Sequence, residues 1–259
     1  VLLLLIAASI MGATTREQEL LAQYHAAKAS AKVIETCSAL INLGDYYFLS
    51  NRLEDAKQNF EQAYELALKH DFYSDQVYIE VNLGNILDLS SDLRGALEYY
   101  NLALSKAQDS TSARYLPQIH NNIGNLYLKV GSFTQSLRHY QQALQIRREQ
   151  KDPIGLANAL LNLSIYYLKT GNYTRSLEFQ FEALQKKQEV GDEAGIAAIL
   201  SSISVCYRHM EDYSNAFDYN QRAIDLYQKL NNKAKLASAY NNLGVLYLAT
   251  GDLYKARDS

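Results

Sequence analysis

Six segments of the chain recur at a constant spacing of 40 residues: Ile41-Asn42-Leu43-Gly44, Val81-Asn82-Leu83-Gly84, Asn121-Asn122-Ile123-Gly124, Leu161-Asn162-Leu163-Ser164, Ser201-Ser202-Ile203-Ser204 and Asn241-Asn242-Leu243-Gly244. A fixed period in the range of about 20 to 50 residues marks a solenoid, in which each unit buries its apolar face only by stacking on its neighbours. The chain is therefore expected to be an array, and an array offers an extended surface for binding.

The remainder of the unit repeats with the same register. Three residues after the Gly or Ser stands Tyr47, Leu87, Tyr127, Tyr167, Tyr207 or Tyr247, and twelve after it stands Ala56, Ala96, Ser136, Ser176, Ala216 or Ala256. Ala63, Ala103, Ala143, Ala183 and Ala223 occupy the nineteenth place. Small residues at fixed places on two successive helical segments let the helix axes approach closely. Close approach explains a Gly kept in mid-helix, where it costs about 1 kcal/mol against Ala.

Helix ends can be read from stop and cap residues. Gly131, Gly171 and Gly251 supply a left-handed stop, Asn51 can do the same, and Ser91 and Glu211 are weaker stops. The following residues are capping types, Asp92, Ser132, Asn172, Asp212 and Asp252, with Arg52 the exception. Between units, Asp152-Pro153 reads as an N-cap with Pro in the first turn, and Ser112, Asp192 and Asn232 hold the equivalent place. First helices are expected over 36–49, 74–90, 113–130, 153–170, 193–210 and 233–250. Second helices are expected over 53–70, 93–109, 133–150, 173–190 and 213–230 and from 253 onward.

Together, the Leu-Gly followed by Tyr, the small residue, the aromatic at Phe60, Tyr100 or Tyr140 and the fixed Ala resemble tetratricopeptide repeats in a 40-residue version, over roughly 36–259. The resemblance implies an all-α solenoid of about six stacked antiparallel helix pairs, a right-handed superhelix with a concave groove lined by the first helices. Units start near 36, 74, 113, 153, 193 and 233, the last incomplete. Residues 14–35 read as an N-terminal capping helix, with Tyr24 and Ala27 in the places of a second helix. Two departures stand out: Ser164 and Ser204 replace the Gly, and Gln180 and Asn220 replace the aromatic, so those units are expected to pack slightly looser.

A net charge of -3 argues against an electrostatic footprint for nucleic acid. The five His (His25, His70, His120, His139, His209) form no metal-ligand pair, and Cys37 and Cys206 lie four units apart. No phosphate loop, nucleophile elbow or zinc signature occurs, so a non-catalytic chain without cofactor or metal is expected. Acids such as Glu54 and Asp55 fall at helix starts, where the helix dipole accounts for them. Val1 to Ile10 is an apolar run followed by Met11-Gly12-Ala13, similar to the hydrophobic part of a secretory signal with cleavage after Ala13. The alternative is an apolar helix that caps the solenoid. An export signal predicts a location outside the cytoplasm on the periplasmic side of a bacterial membrane; without one the chain is cytoplasmic, and in either case a membrane is met only through segments outside the array.

The resemblance places the groove at four positions around the Gly. They comprise an Asn ladder, Asn42, Asn82, Asn122, Asn162 and Asn242, and the variable positions Asp45, Asn85, Asn125, Ile165, Val205 and Val245, Tyr78, Gln118 and Asn158, and Lys129, Lys169 and His209. Asn both donates and accepts, so the ladder can hold the backbone of an extended peptide; equally, the amides can bond to neighbouring helices and fix the stacking. The variable places predict a groove polar at its amino-terminal half, apolar at its carboxy-terminal half and weakly basic at the rim, suited to a peptide with an apolar segment near an acidic residue. Ser38, Ile41, Tyr78 and Val81 stand where a clamp for a chaperone's terminal carboxylate needs cations, so that ligand is not expected. The expected function is a protein- or peptide-binding scaffold. It is either the sensing region of a larger signalling protein, resembling the amino-terminal arrays of bacterial sensor histidine kinases, or a stand-alone adaptor, or a cytoplasmic peptide-receptor regulator.

Overall fold

A computed structural model describes residues 2–107 and 111–258, with side chains from residue 15 to residue 257. The apolar run Val1 to Ile10 therefore has its side chains outside the described residues. The described residues form α-helices and one short 3-10 turn, with no strand among them. Thirteen helices follow one another: α1 Leu2–Ala29, α2 Val33–Leu49, α3 Leu53–Lys69, α4 Tyr73–Leu89, α5 Leu93–Lys106, α6 Leu116–Lys129, α7 Phe133–Gln150, α8 Pro153–Lys169, α9 Tyr173–Glu189, α10 Glu193–His209, α11 Tyr213–Lys229, α12 Lys233–Thr250 and α13 Leu253–Asp258.

Helix bounds differ from the sequence expectation at the amino-terminal end. The helix expected to fill 14–35 ends at Ala29, runs unbroken from Leu2, and gives Val33 to Glu35 to α2. Ala31 takes a left-handed φ of 51° there, so an unmarked Ala makes the turn. The first helix of the third repeat begins as a 3-10 turn over Ala113–Tyr115 before α6. Among the described residues, a left-handed residue recurs at nearly every turn: Asn51, Ser91, Gly131, Gly171, Glu211 and Gly251 within repeats, and Asp71, Lys151, Gly191 and Asn231 between them. Links this short, of two or three residues, force consecutive helices antiparallel. Side-chain caps follow several of them: Asp92, Asp152, Asn172, Asp192, Asp212 and Asn232 each accept from the backbone N–H three residues on.

The chain divides into two compact bodies, residues 1–126 and 127–259. In the first, α2 pairs with α3 and α4 with α5, and α1 packs on α2. Its core joins Leu20, Cys37, Leu43, Phe60, Ile79 and Leu83. In the second, α8 pairs with α9 and α10 with α11, flanked by α7 and α12. Its core joins Tyr140, Leu163, Ile199, Ile203, Ile224 and Tyr227. Both cysteines are buried as free thiols, Cys37 in the first body and Cys206 in the second.

Within a pair, the fixed small residues lie at the crossing. Ala56, Ala96, Ser176 and Ala216 are fully buried, as are Ala63, Ala103, Ala183 and Ala223. Gly44 and Gly84 meet the aromatic of the following helix so closely that an added Cβ would stand 2.7 Å from Phe60 and 2.5 Å from Tyr100. The ring occupies the volume of the missing methyl. Where Ser replaces Gly, the ring is gone and polar contacts take its place. Ser176 donates to the Ser164 carbonyl at 2.8 Å, and the buried Gln180 donates to the Ser176 and Ser202 hydroxyls at 3.1 and 3.0 Å. One repeat later, Ser204 donates to the Ala216 carbonyl and Asn220 to the Ala239 carbonyl. Gln180 and Asn220 are fully buried, each with a side-chain oxygen that has no hydrogen-bond partner among the described residues.

First-helix tyrosines pack beside several of the pairs. Tyr167 stacks on Phe179 at 5.5 Å and Tyr207 on Tyr219 at 5.5 Å. In the first repeat no ring stands opposite; Arg52 lies over Tyr47 at 4.3 Å, and the Tyr47 hydroxyl donates to Glu17 of α1.

Two outcomes follow from this packing. Gly84→Ser and Tyr100→Gln should each destabilise the chain by about 1–4 kcal/mol, the first by overpacking and the second by lost burial. Together they should cost at least 1 kcal/mol less than the sum, read as a double-mutant cycle from urea midpoints; strict additivity would refute the coupling of ring and glycine. Glu211, exposed at φ 61°, should gain about 0.5–1 kcal/mol on replacement by Gly, measured the same way.

Candidate functional site

Sequence periodicity puts residues Ile34, Ser38, Asn42, Asp45 and Leu49 on one face of α2, because steps of three and four return to the same side of a helix. That face is open. With Gln23 and Ala27 of α1, the positions Ile34, Ser38 and Asn42 line a cleft of about 260 Å³. With Arg16 and Leu20 of α1, Asn42, Asp45 and Leu49 line another of about 230 Å³. Asn42 belongs to both, so the clefts join into a trench along α2 that spans about 22 Å at 1.5 Å per residue. Its ends are apolar, with Ile34 63% and Leu49 84% exposed. Between them, the Ser38 hydroxyl and Asn42 amide are exposed and have no partner among the described residues.

Asp45 is one of three charged residues in the lining, with Arg16 in the same cleft and Glu35 in the other. The Tyr78 hydroxyl points at its two carboxylate oxygens, at 2.7 and 2.9 Å. Burial raises the Asp45 carboxyl above its usual range, with the Tyr78 bond opposing that shift. The Tyr78 hydroxyl is in turn pushed up by burial and then by Asp45.

Most of the rest of the expected groove in the first body is committed to itself, Gln118 excepted. Asn82 donates to the Tyr78 carbonyl, and the Asn85 carbonyl oxygen accepts from Tyr100 and from Asn122, both at 2.8 Å. Asn85 ties α4 to α5 and, through Asn122, to α6, while Asn82 bonds within α4, so here the amides are occupied by the protein itself. Gln118 is exposed without a partner among the described residues, and Asn125 is engaged within the structure.

In the second body the expected residues separate again. Asn158 is exposed and Asn162 half-buried, and neither has a partner among the described residues, whereas Asn242 donates to Ser201 at 3.2 Å. The apolar places are present at the surface, with Ile165 50% and Val245 37% exposed. The expected basic rim is spent on the protein itself. Lys169 donates to the Leu128 carbonyl at 2.9 Å and caps the end of α6, and Lys129 is engaged. His209 stacks on Tyr173 at 5.0 Å, and burial, then Arg208, lower its pKa, so it is neutral at pH 7. The rim therefore offers no basis for preferring an acidic ligand.

One polar cluster escaped the sequence reading. Glu80, with a fully buried side chain, pairs with Lys106, which also donates to Tyr64 and to Gln76 at 3.1 and 2.9 Å. The signal was there: Glu80 is the lone acid in Val77-Tyr78-Ile79-Glu80-Val81, where a helix buried on two sides wants apolar residues. Among the described residues, no group of three or more His, Cys, Asp or Glu is placed to hold a metal. No helix there is long and apolar enough to cross a membrane.

A sequence profile described as tetratricopeptide repeat matches residues 115–189 and 195–259, and a second profile of the same description matches 38–70. No match was found among curated proteins. Among solved structures, BtubC from P. vanneervenii is 25% identical with a TM-score of 0.69, covering 81% of this chain and 87% of that one. A signal-transduction ATPase with numerous domains from Pyrococcus horikoshii, named as carrying a tetratricopeptide repeat sensor, is 18% identical with a TM-score of 0.75; the likeness covers 86% of this chain and 35% of that protein. The apo form of RapI is 16% identical with a TM-score of 0.70, covering 94% of this chain and 73% of its own. The last two show likeness of fold alone.

The free and the committed amides make separable predictions. Asn85→Ala should destabilise the chain by about 1–3 kcal/mol, since it leaves the Tyr100 hydroxyl and the Asn122 amide unpaired. Asn42→Ala and Asn158→Ala should stay within about 0.5 kcal/mol of the parent in urea melts. A large loss at Asn42 would make that amide a stacking residue.

Proposed function

The chain belongs to the tetratricopeptide repeat family, and from that premise we propose that it is a non-catalytic scaffold that holds an extended peptide segment of a partner protein along the first-helix face. Its repeats make it a protein-interaction scaffold; the trench along α2 is the part we assign to the ligand. The observation that carries the assignment is the contrast at one repeat position of the first body: Asn82 and Asn122 bond to the protein, while Asn42, beside the equally free Ser38, lines both clefts along α2 with its hydrogen-bonding groups free. A trench of about 22 Å accommodates six or seven extended residues at 3.3 Å each. Asn42 is suited to bond the peptide backbone, Ile34 and Leu49 to receive apolar side chains near its two ends, and Asp45 to accept from a donor between them.

Two biological settings draw support from different observations. The likeness to a P. horikoshii protein with a named repeat sensor, of which the chain spans 35%, favours the sensing region of a larger signalling protein. The likeness to BtubC, which runs through 87% of that chain, leaves a stand-alone adaptor as the second setting. Export across a bacterial membrane belongs to the first setting and is read out by fusing residues 1–40 to a reporter active only outside the cytoplasm.

A library of seven-residue peptides displayed against the whole chain tests the trench. Selected peptides should carry apolar residues five or six positions apart. Asn42→Ala should weaken their binding about three- to tenfold, the equivalent of one or two net hydrogen bonds, without moving the thermal melt. Leu49→Glu should weaken it further. Selected peptides whose binding ignores both substitutions would place the ligand elsewhere.

A further inference from the structure

The second helices of the first body carry a cleft of their own, apart from the trench on α2. It measures about 300 Å³ and lies between α3 and α5, lined by Tyr64, Glu98, Tyr99 and Leu102. Its walls are two phenol rings, and its rim carries a carboxylate. The Tyr64 hydroxyl donates to Glu80 at 2.6 Å, and Lys106 sits 5.2 Å from the Tyr64 ring centre, so this ring already holds one cation of the protein's own. The Tyr99 hydroxyl has no hydrogen-bond partner among the described residues. Glu80 is fully buried, and its second carboxylate oxygen has no partner there either. Tyr99 has its pKa raised first by burial and then by the carboxylates of Glu61 and Glu80.

We propose that the α3–α5 cleft is a second docking point, which takes an arginine side chain presented by a partner protein. Aromatic faces beside carboxylates attract a cation, and a planar guanidinium both stacks on a phenol ring and forks to a carboxylate, which an ammonium cannot do. Glu98 is available for that role. Its ion pair with Arg94 joins side chains 68% and 92% exposed, and an exposed pair of this kind contributes little and is displaced at small cost. A protein rather than a free small cation is the fitting source, because the exposed Leu102 lines the cleft and gains from being covered.

The experiment uses the whole chain with ring-labelled tyrosines, titrated with acetyl-Gly-Arg-Gly-amide and followed by NMR, the Tyr99 and Tyr64 signals being assigned with Tyr99→Leu and Tyr64→Phe. The expected result is a saturable shift confined to those two tyrosines, weakened about threefold by Glu98→Gln and about tenfold by Tyr99→Leu. Glu98→Gln alters only an exposed side chain, so the test stands even if Tyr99→Leu impairs folding. Equal shifts with the citrulline or lysine peptide, shifts spread over the other tyrosines, or no shift at millimolar peptide would each overturn the proposal.

Discussion

The close crossing of paired helices is the constraint on which the rest of the chain depends. At the crossing a glycine in one helix faces a ring in the next, and a methyl on Gly84 would stand 2.5 Å from Tyr100. Interiors are packed to crystal-like density, so such a contact cannot be relaxed without moving one helix against the other. The alternative found in the second body keeps the crossing and changes its chemistry. Ser164 with Gln180 and Ser204 with Asn220 exchange ring burial for hydrogen bonds to buried carbonyls and hydroxyls. Both devices are local. The glycine and ring serve a single crossing, whereas Gln180 and Asn220 also reach the first helix of the next repeat.

Locality explains how much could be read from the sequence. Helix order, pairing and turns were legible because each is set within about 20 residues by a stop, a cap and a small residue. Even the weak stops Ser91 and Glu211 adopt the left-handed conformation, at φ 65° and 61°. The end of α1 was not legible, because Ala31 makes that turn without glycine or asparagine to mark it. The groove was legible only as a set of positions. Periodicity assigns Asn42, Asn82 and Asn122 the same place, yet each amide ends differently: Asn82 bonds within α4, Asn122 bonds to another helix, and Asn42 stays free among the described residues. Asn85 captures Asn122, while nothing captures Asn42. The same limit hid the commitment of Lys169 to the Leu128 carbonyl, a contact 41 residues away in sequence.

That division separates packing from recognition. A buried amide whose donors and acceptors are met by its neighbours rigidifies the stack and offers nothing to a ligand. An exposed amide in a trench costs the fold nothing to keep and has its full hydrogen-bonding capacity left for a partner. Asn42 and Ser38 are of the second kind, and they sit between apolar ends that water covers poorly. The apolar surface supplies driving force and the amides supply orientation, which is the usual division of labour in a binding cleft.

The buried ionic cluster has a different place in this economy. Every apolar crossing in a repeat array resembles every other, so apolar packing alone discriminates weakly between a helix and its counterpart one repeat away. Glu80 breaks that degeneracy. Paired with any helix other than α5 it would lose Lys106 and leave a charge buried in a site with no exposure, a loss of about 3–5 kcal/mol. Tyr64 from α3 and Gln76 from α4 converge on the same ammonium, so three consecutive helices are tied by groups that no other repeat duplicates. Gln180, reaching Ser202 and Cys206, gives α9 the same selectivity for α10. Non-repeating polar contacts thus set which neighbours meet, and repeating apolar ones set how closely they pack.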